Sequence, residues 1–193
     1  AVLDDISQTF TFKEKSECTH PKSVYAAVSK DYAIWHRSTS GGAFSEIVRH
    51  WTEDDSLIVG AAWRGFTVHH IGVVGFRNIT PLCKSKYMAS SIENTFIEIR
   101  THLQKGKKAV FCGCPCQVDG LRKFLRKEYE HLLTIDLICH GQGSPLVFAE
   151  CIKEIGTQLD SEVLAYEFRT KRRMIEEEYM SKVSTANGIY YIV

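Results

Sequence analysis

The stretch from Lys107 to Gly141 constrains the fold of this chain more than any other part of its sequence. Two short apolar runs, Ala109–Cys112 and Thr134–Cys139, end in cysteine, and residues 117–127 between them have apolar side chains at helical spacing. A strand, a crossover helix and a second strand form a βαβ unit with parallel strands. Both cysteine-bearing turns then open at the carboxyl edge of the sheet, where α/β proteins bind ligands.

The turn after the first of these strands concentrates thiols around Cys114-Pro115-Cys116. Pro115 has the fixed φ that suits the first position of a helix, so Cys116 falls in the first turn, near unpaired amides. A thiol there is biased toward the thiolate, which binds metals and attacks electrophiles. With Cys139 and His140 across the gap, we expect the sulfurs of Cys114, Cys116 and Cys139 to converge.

Composition excludes several classes of protein. The 193 residues are 44% hydrophobic with a net charge of +1, which is typical of a globular protein without the basic field of a nucleic-acid-binding protein. No apolar run approaches the ~20 residues of a membrane span, and Ala1 opens no signal-like segment. Seven cysteines, three of them within five residues, favour metal or redox chemistry in the cytoplasm over disulfides.

The first part of the chain gives weaker signals. Residues 1–23 are interpreted as a lead or linker in which Cys18 is a surface thiol, and Val24–Val28 as a first strand. The turn Ser38-Thr39-Ser40-Gly41-Gly42 before a helix is typical of a backbone nest for phosphate. An equally good interpretation is that Ser40 caps the helix and the glycines only permit the turn.

The remaining elements complete an α/β fold: a mixed sheet containing the βαβ unit, flanked by helices, in a single domain over residues 24–193. We expect a hairpin about Arg64-Gly65, with His69 and His70 on opposite faces and neither a ligand. For helices, we predict a capping box of Ser90 and Glu93, Gly106 as a C′ residue, and a helix that begins at Ser144-Pro145. Trp63, Cys112 and Cys151 are predicted to lie in the core. The charge run from Lys171 to Glu178 is predicted to be solvated, and strands are predicted at Val163–Phe168 and Lys182–Val193.

Five blocks resemble those of a known family. In chain order they are Ser38-Thr39-Ser40-Gly41-Gly42, Gly60-Ala61-Ala62-Trp63, Ser85-Lys86-Tyr87-Met88-Ala89-Ser90, Gly113-Cys114-Pro115-Cys116-Gln117 with Gly120-Leu121, and Asp136-Leu137-Ile138-Cys139-His140-Gly141 with Ser144-Pro145. Over about residues 24–168 the chain therefore resembles the coenzyme F420 hydrogenase/dehydrogenase beta-subunit family of iron–sulfur flavoproteins.

The resemblance implies a redox domain with FAD and a [4Fe–4S] cluster that passes electrons or hydride between a flavin and a ferredoxin-like domain or subunit, or a deazaflavin. It implies flavin-binding roles for Ser38, Ser40, Gly41, Gly42, Lys86, Tyr87, Gln117 and His140. It implies that Cys116 and Cys139 bind the cluster or lie beside the flavin, with Cys114 as a third ligand.

Departures from the family pattern bear on the cluster. Cys114 stands where the family usually has threonine, Gly143 where it often has proline, and Ala89 where glutamine is common. The flanking cysteine-rich segments of the family do not occur within these 193 residues. We therefore expect a C-terminally truncated fragment with an incomplete four-cysteine cluster, which need not be active alone.

Two other hypotheses use the same side chains. In a cysteine-nucleophile enzyme, Cys116 is activated by the helix start and by His140. In a non-enzymatic interaction module, zinc is held by Cys114, Cys116, Cys139 and His140, although Cys-x-Cys is not the usual spacing for zinc.

Overall fold

The computed structural model describes residues 23–171 and 180–192. Cys18 and residues 172–178 of the charged run, both interpreted above, lie outside these ranges. The helices are α1 Tyr32–His36, α2 Ala43–Trp51, α3 Thr95–Gln104, α4 Pro115–Leu125 and α5 Pro145–Gln158. The strands are β1 Leu57–Arg64, β2 Thr67–Val74, β3 Ser90–Ser91, β4 Ala109–Gly113, β5 Leu132–Asp136, β6 Val163–Thr170, β7 Met180–Thr185 and β8 Gly188–Ile192.

The predicted βαβ unit lies in a five-stranded mixed sheet of order β3-β2-β1-β4-β5. β4 pairs in parallel with both β1 and β5, while β1 and β2 form the antiparallel hairpin about Gly65 and Phe66. Pro115 occupies the first turn of α4 as expected, although this helix begins before Gln117 and ends at Leu125. The α/β fold with a mixed sheet and flanking helices is confirmed.

Every residue of β4 is buried because helices cover both faces of the sheet. On one face, Phe111 of β4 packs with residues of α3 and α4 such as Ile99 and Leu121. On the other face, Val110 packs with Val48 of α2. This two-sided burial explains why the β4 sequence is continuously apolar rather than alternating.

β6, β7 and β8 form a separate three-stranded antiparallel sheet, joined to the main sheet through aromatic rings. The Trp63 ring stacks on those of Phe148 and Phe168, with centroids 5.7 and 5.8 Å apart. The prediction that Trp63 is a core residue is thus confirmed. Asn187-Gly188 lies at the β7–β8 turn.

Two local predictions are wrong and a third is confirmed. Residues 24–28 form no strand: none of the described strands pairs with them, and Val24 and Tyr25 are exposed. Ser90 and Glu93 form no capping box, because Asn94 is the N-cap of α3 and Ser90 belongs to β3. The C′ position of Gly106 is confirmed, with φ of 73° after the C-cap Lys105.

Cys151 is exposed rather than buried, contrary to the prediction. The buried stripe of α5 runs through Phe148, Ile152, Ile155 and Leu159. These four residues are four, three and four positions apart, so their side chains lie on one narrow face of the helix. Cys151 is rotated by about 100° from its neighbour Ile152 around the helix axis and lies at the margin of that face. Cys112, in contrast, is buried as predicted. Within the described ranges, no helix is both long and apolar enough to cross a membrane.

Candidate redox site at the carboxyl edge of the sheet

The two cysteine loops open at the same edge of the sheet, as predicted. Gly113 at the end of β4 lies opposite Asp136 at the end of β5, and the Leu137 amide donates to the Gly113 carbonyl at 2.9 Å. β5 ends at Asp136, so Cys139 lies in a loop and not at a strand end as expected. We call residues 113–116 and 136–141 the cysteine rim.

Cys114 and Cys139 are in side-chain contact across the cysteine rim. Burial raises the pKa of the Cys114 thiol, and its contact with Cys139 adds to the rise. Gln142 Nε2 donates to Cys114 Sγ at 3.4 Å, and this hydrogen bond lowers the pKa of Cys114. The Gly141 amide donates to Cys139 Sγ, also at 3.4 Å. Neighbouring amides therefore hold both thiols of the pair in place.

Cys116 lies in the first turn of α4 and is exposed, as is His140. In the part of the chain that the structure describes, no three or more His, Cys, Asp or Glu side chains are grouped so as to hold a metal ion. The closed three-sulfur set expected from the sequence is thus not formed, and the metal-binding roles stay predictions.

Exposed apolar side chains lie in the cysteine rim and just after it in the chain. Ile138 is 91% exposed, and Leu137 beside it and Leu146 and Val147 in the first turn of α5 are also exposed. Isolated apolar residues at a surface are ordinary, but two of these four lie in the loop that carries Cys139 and the other two follow it closely in the chain.

Residues 83–89, which we call the lysine loop, are fastened to the loop after the cysteine rim. The Gly143 amide donates to the Tyr87 carbonyl at 3.1 Å, and the Ala89 amide donates to the Gly143 carbonyl at 3.0 Å. A Cβ at Gly143 would lie 2.7 Å from the Tyr87 oxygen. Glycine at 143 therefore permits this contact, and a proline would lack the N–H that Tyr87 accepts.

Lys86 is directed into the lysine loop. Its Nζ donates to the carbonyls of Cys83 at 2.7 Å and Pro81 at 3.0 Å, and burial lowers its pKa to about 8. The Tyr87 hydroxyl accepts a hydrogen bond from Arg169 at 3.2 Å. The flavin-binding roles of Lys86 and Tyr87 stay predictions.

The Ser38–Gly42 turn lies beside the lysine loop, because the Ser85 amide donates to Thr39 Oγ1 at 2.8 Å. Gly42 is the N-cap of α2, with φ of 89° and no side-chain cap, so the interpretation of Ser40 as the cap is wrong. A Cβ at Gly41 would lie 2.2 Å from the Ala27 carbonyl oxygen. Gly41 thus makes room for the chain's own backbone, and the predicted binding of phosphate is untested.

Three charged residues of the last third reach these loops. Glu167 and Arg169 were not predicted to do so, and the prediction of a solvated position is wrong for Lys171, whose amine is bound by backbone carbonyls. Glu167 pairs with Lys84 and Lys182. Arg169 donates to Tyr87, and Lys171 Nζ donates to the carbonyls of Trp35 and Ser40, both at 2.6 Å. The signal was available in the alternation of Glu167, Arg169 and Lys171 with the core residues Tyr166 and Phe168.

His69 and His70 lie on opposite faces, as predicted, and both are satisfied by protein groups. His69 Nδ1 contacts Glu93 at 2.6 Å, while the buried His70 ring lies between Ser90 Oγ at 3.0 Å and the Cys112 carbonyl at 3.1 Å. Burial lowers the pKa of His70, and the nearby charge of Lys86 adds to the decrease.

Comparison with known proteins agrees with the family resemblance described under the sequence analysis. Residues 106–189 match the family model that describes the carboxyl terminus of the coenzyme F420 hydrogenase/dehydrogenase beta subunit. A solved structure of the F420-reducing [NiFe] hydrogenase complex from Methanosarcina barkeri is similar at a TM-score of 0.56 and 18% identity, covering 86% of this chain. The chain spans 58% of that protein's length. A search of curated proteins found no match.

Proposed function

We propose that this chain, whose residues 106–189 match the model of the coenzyme F420 hydrogenase/dehydrogenase beta-subunit carboxyl terminus, is the redox domain of a flavin-dependent oxidoreductase. It passes electrons or hydride between a flavin and a ferredoxin-like or deazaflavin partner, in the cytoplasm. The observation that carries the proposal is the contact of Cys114 with Cys139 where two parallel strands end, beside the lysine loop. This edge is where α/β sheets hold their ligands.

FAD is the proposed flavin, and the Ser38–Gly42 turn with the lysine loop is its proposed site. Three cations lie at these two loops. Lys84 is part of the lysine loop, with Glu167 as its carboxylate partner, while Arg169 donates to Tyr87 and Lys171 to Ser40. Burial lowers the pKa of Lys171, and the charges of Lys84 and Arg169 lower it further, which indicates that the cations repel one another. A diphosphate would relieve that repulsion, and the flavin would supply the exchange between two-electron and one-electron carriers.

Binding of FAD compared with riboflavin tests the flavin proposal, because only FAD carries the diphosphate. We expect Lys171→Gln to weaken FAD binding about tenfold or more, the loss of one charge-assisted hydrogen bond, and to change riboflavin binding little. Lys153→Gln, an exposed lysine on α5, is the matched control. Equal losses for both ligands, or no FAD binding by the complete protein, would overturn the proposal.

Cys114, Cys116 and Cys139 are proposed to contribute part of the ligand set of a [4Fe–4S] cluster. A cluster takes four cysteines, and no three candidate ligands are grouped in the described ranges, so these residues alone do not fit the group. We propose that a ferredoxin-like domain or subunit supplies the rest. No reaction step is therefore assigned to this cluster.

Anaerobic reconstitution with iron and sulfide, in the complete protein and its partner subunits, tests the cluster proposal. We expect Cys116→Ser and Cys139→Ser to reduce the bound iron and the visible cluster absorbance. Cys151→Ser is the control, because Cys151 is exposed on α5. Unchanged iron content in both rim variants would remove the cysteine rim from the ligand set.

A further inference from the structure

Four hydrogen bonds connect the two backbone groups on either side of Gly113 through three side chains. The Cys114 amide donates to Gln117 Oε1 at 2.9 Å, and Gln117 Nε2 donates to Ser90 Oγ at 3.0 Å. Ser90 Oγ lies 3.0 Å from His70 Nδ1, and His70 Nε2 lies 3.1 Å from the Cys112 carbonyl oxygen. We call His70, Ser90 and Gln117 the relay.

The two ends of the relay fix the direction of three of its bonds, and a neutral His70 ring fixes the fourth. The Cys114 amide can only donate and the Cys112 carbonyl can only accept. Gln117 must therefore accept with its oxygen and donate with its nitrogen to Ser90. The Cys112 carbonyl places the ring proton of His70 on Nε2. In a neutral ring Nδ1 is then unprotonated, so Ser90 donates its hydroxyl proton to it. One neutral tautomer of His70 satisfies the whole relay.

The surroundings of the relay select the same neutral ring. His70 is 2% exposed, and its ring stacks on Phe111 with the centroids 5.3 Å apart. The charged group acting on it comes from the lysine loop, where Lys86 opposes a second positive charge. A protonated ring would have to donate from Nδ1 and would thereby reverse the bond to Ser90.

Gly113 shows how closely the relay follows the cysteine loop. A Cβ at this position would lie 2.9 Å from Gln117 Oε1 and 3.0 Å from the Phe111 ring. Gln117 of the relay and the Phe111 ring thus both lie too close to the backbone of Gly113 to leave room for a side chain there.

We propose that the relay positions the cysteine rim: His70, Ser90 and Gln117 hold the backbone of residues 112–114 so that Cys114 is presented to Cys139. Its importance for electron transfer rests on the proposed function above. The relay itself involves only this chain, so it is tested without flavin, iron or partner, and its failure is distinguishable from failure of the redox proposal.

Hydrogen exchange of the Cys114 amide gives the first test. Ser90→Ala removes the middle of the relay, so the Cys114 amide should exchange roughly 2-fold to 10-fold faster, as expected for one network hydrogen bond. Ser91→Ala is the matched control, because Ser91 lies on the same two-residue strand and is exposed. Equal exchange in the two variants would overturn the positioning role.

The tautomer of His70 gives a second test, because a merely structural role of the relay would not change which ring nitrogen is protonated. In ¹⁵N NMR of the wild-type chain we expect a protonated Nε2 and an unprotonated Nδ1. Gln117→Glu is nearly isosteric but its carboxylate only accepts, so the Ser90 hydroxyl turns to the carboxylate and His70 Nδ1 loses its hydrogen-bond donor. An unprotonated Nε2 in the wild type, or an Nδ1 resonance in Gln117→Glu that is the same as in the wild type, would overturn the relay.

Discussion

The two strands of the βαβ unit hold their cysteines in opposite ways. Cys112 lies within β4, is buried on both sides by helices, and burial raises its pKa to about 12. Cys139 lies three residues beyond the end of β5, in an exposed loop, with the Gly141 amide donating to its sulfur. The difference teaches that a thiol's place relative to the strand end decides whether it is a packing residue or an available ligand.

Thiol labelling should show the largest contrast between the two strands. At pH 8, a pKa of about 12 leaves Cys112 about a thousandfold less thiolate than a thiol at the ordinary value of 9.0. We expect iodoacetamide to modify Cys139 and to spare Cys112 in the native chain, as measured by mass spectrometry of peptides. Comparable labelling of the two would contradict the burial of β4.

Stability should show the next largest contrast. Phe111 is fully buried in β4, so Phe111→Ala should lower the free energy of unfolding by about 3–5 kcal/mol. Ile138→Ala, in the exposed loop after β5, should change it by no more than about 0.5 kcal/mol. Urea denaturation of both variants measures the difference, and a large loss for Ile138→Ala would show that the loop is packed.

The buried side of the sheet should also make the stability of the protein depend on pH, through His70, with a smaller effect than those above. Because burial lowers the pKa of His70 below 6.5, the unfolded chain takes up its proton first as the pH falls. The stability that the neutral His70 ring contributes is fully present above pH 6.5 and is lost as the pH falls through its lowered pKa. We expect His70→Gln to reduce this slope, with His102 contributing the same background in both proteins; an unchanged slope would be inconsistent with a buried neutral ring.

Two glycines of the βαβ unit should respond in opposite directions, with the smallest effects. Gly120 lies inside α4, and a Cβ there would meet the Phe96 ring at an ordinary 3.7 Å. Gly120→Ala should therefore raise the free energy of unfolding by about 0.5–1 kcal/mol. Gly113→Ala should lower it, because its Cβ would lie 2.9 Å from Gln117 Oε1. Thermal denaturation measures whether each variant is stabilised or destabilised. If both were stabilised, or both destabilised, the close contact of Gly113 with Gln117 would be contradicted.

Sequence periodicity predicted the elements that bury a face. The parallel strands, the crossover helix, the β1–β2 hairpin and α5 were all found, because apolar spacing reports directly on burial. It failed for Val24–Val28, where an apolar run has no partner among the described strands, and for Cys151, where helical spacing alone did not distinguish the centre of the stripe from its margin.

The sequence by itself determined that two cysteine loops meet at one sheet edge, since parallel strands joined by a helix must end together. Only the tertiary structure decided which thiols touch, that Gly41 serves the chain's own backbone, and that charged residues of β6 and Lys171 after it reach the Ser38–Gly42 turn and the lysine loop. The bond from Lys171 to Ser40 joins residues 131 positions apart. Local spacing carries no record of such pairings, because they depend on how separate elements pack together.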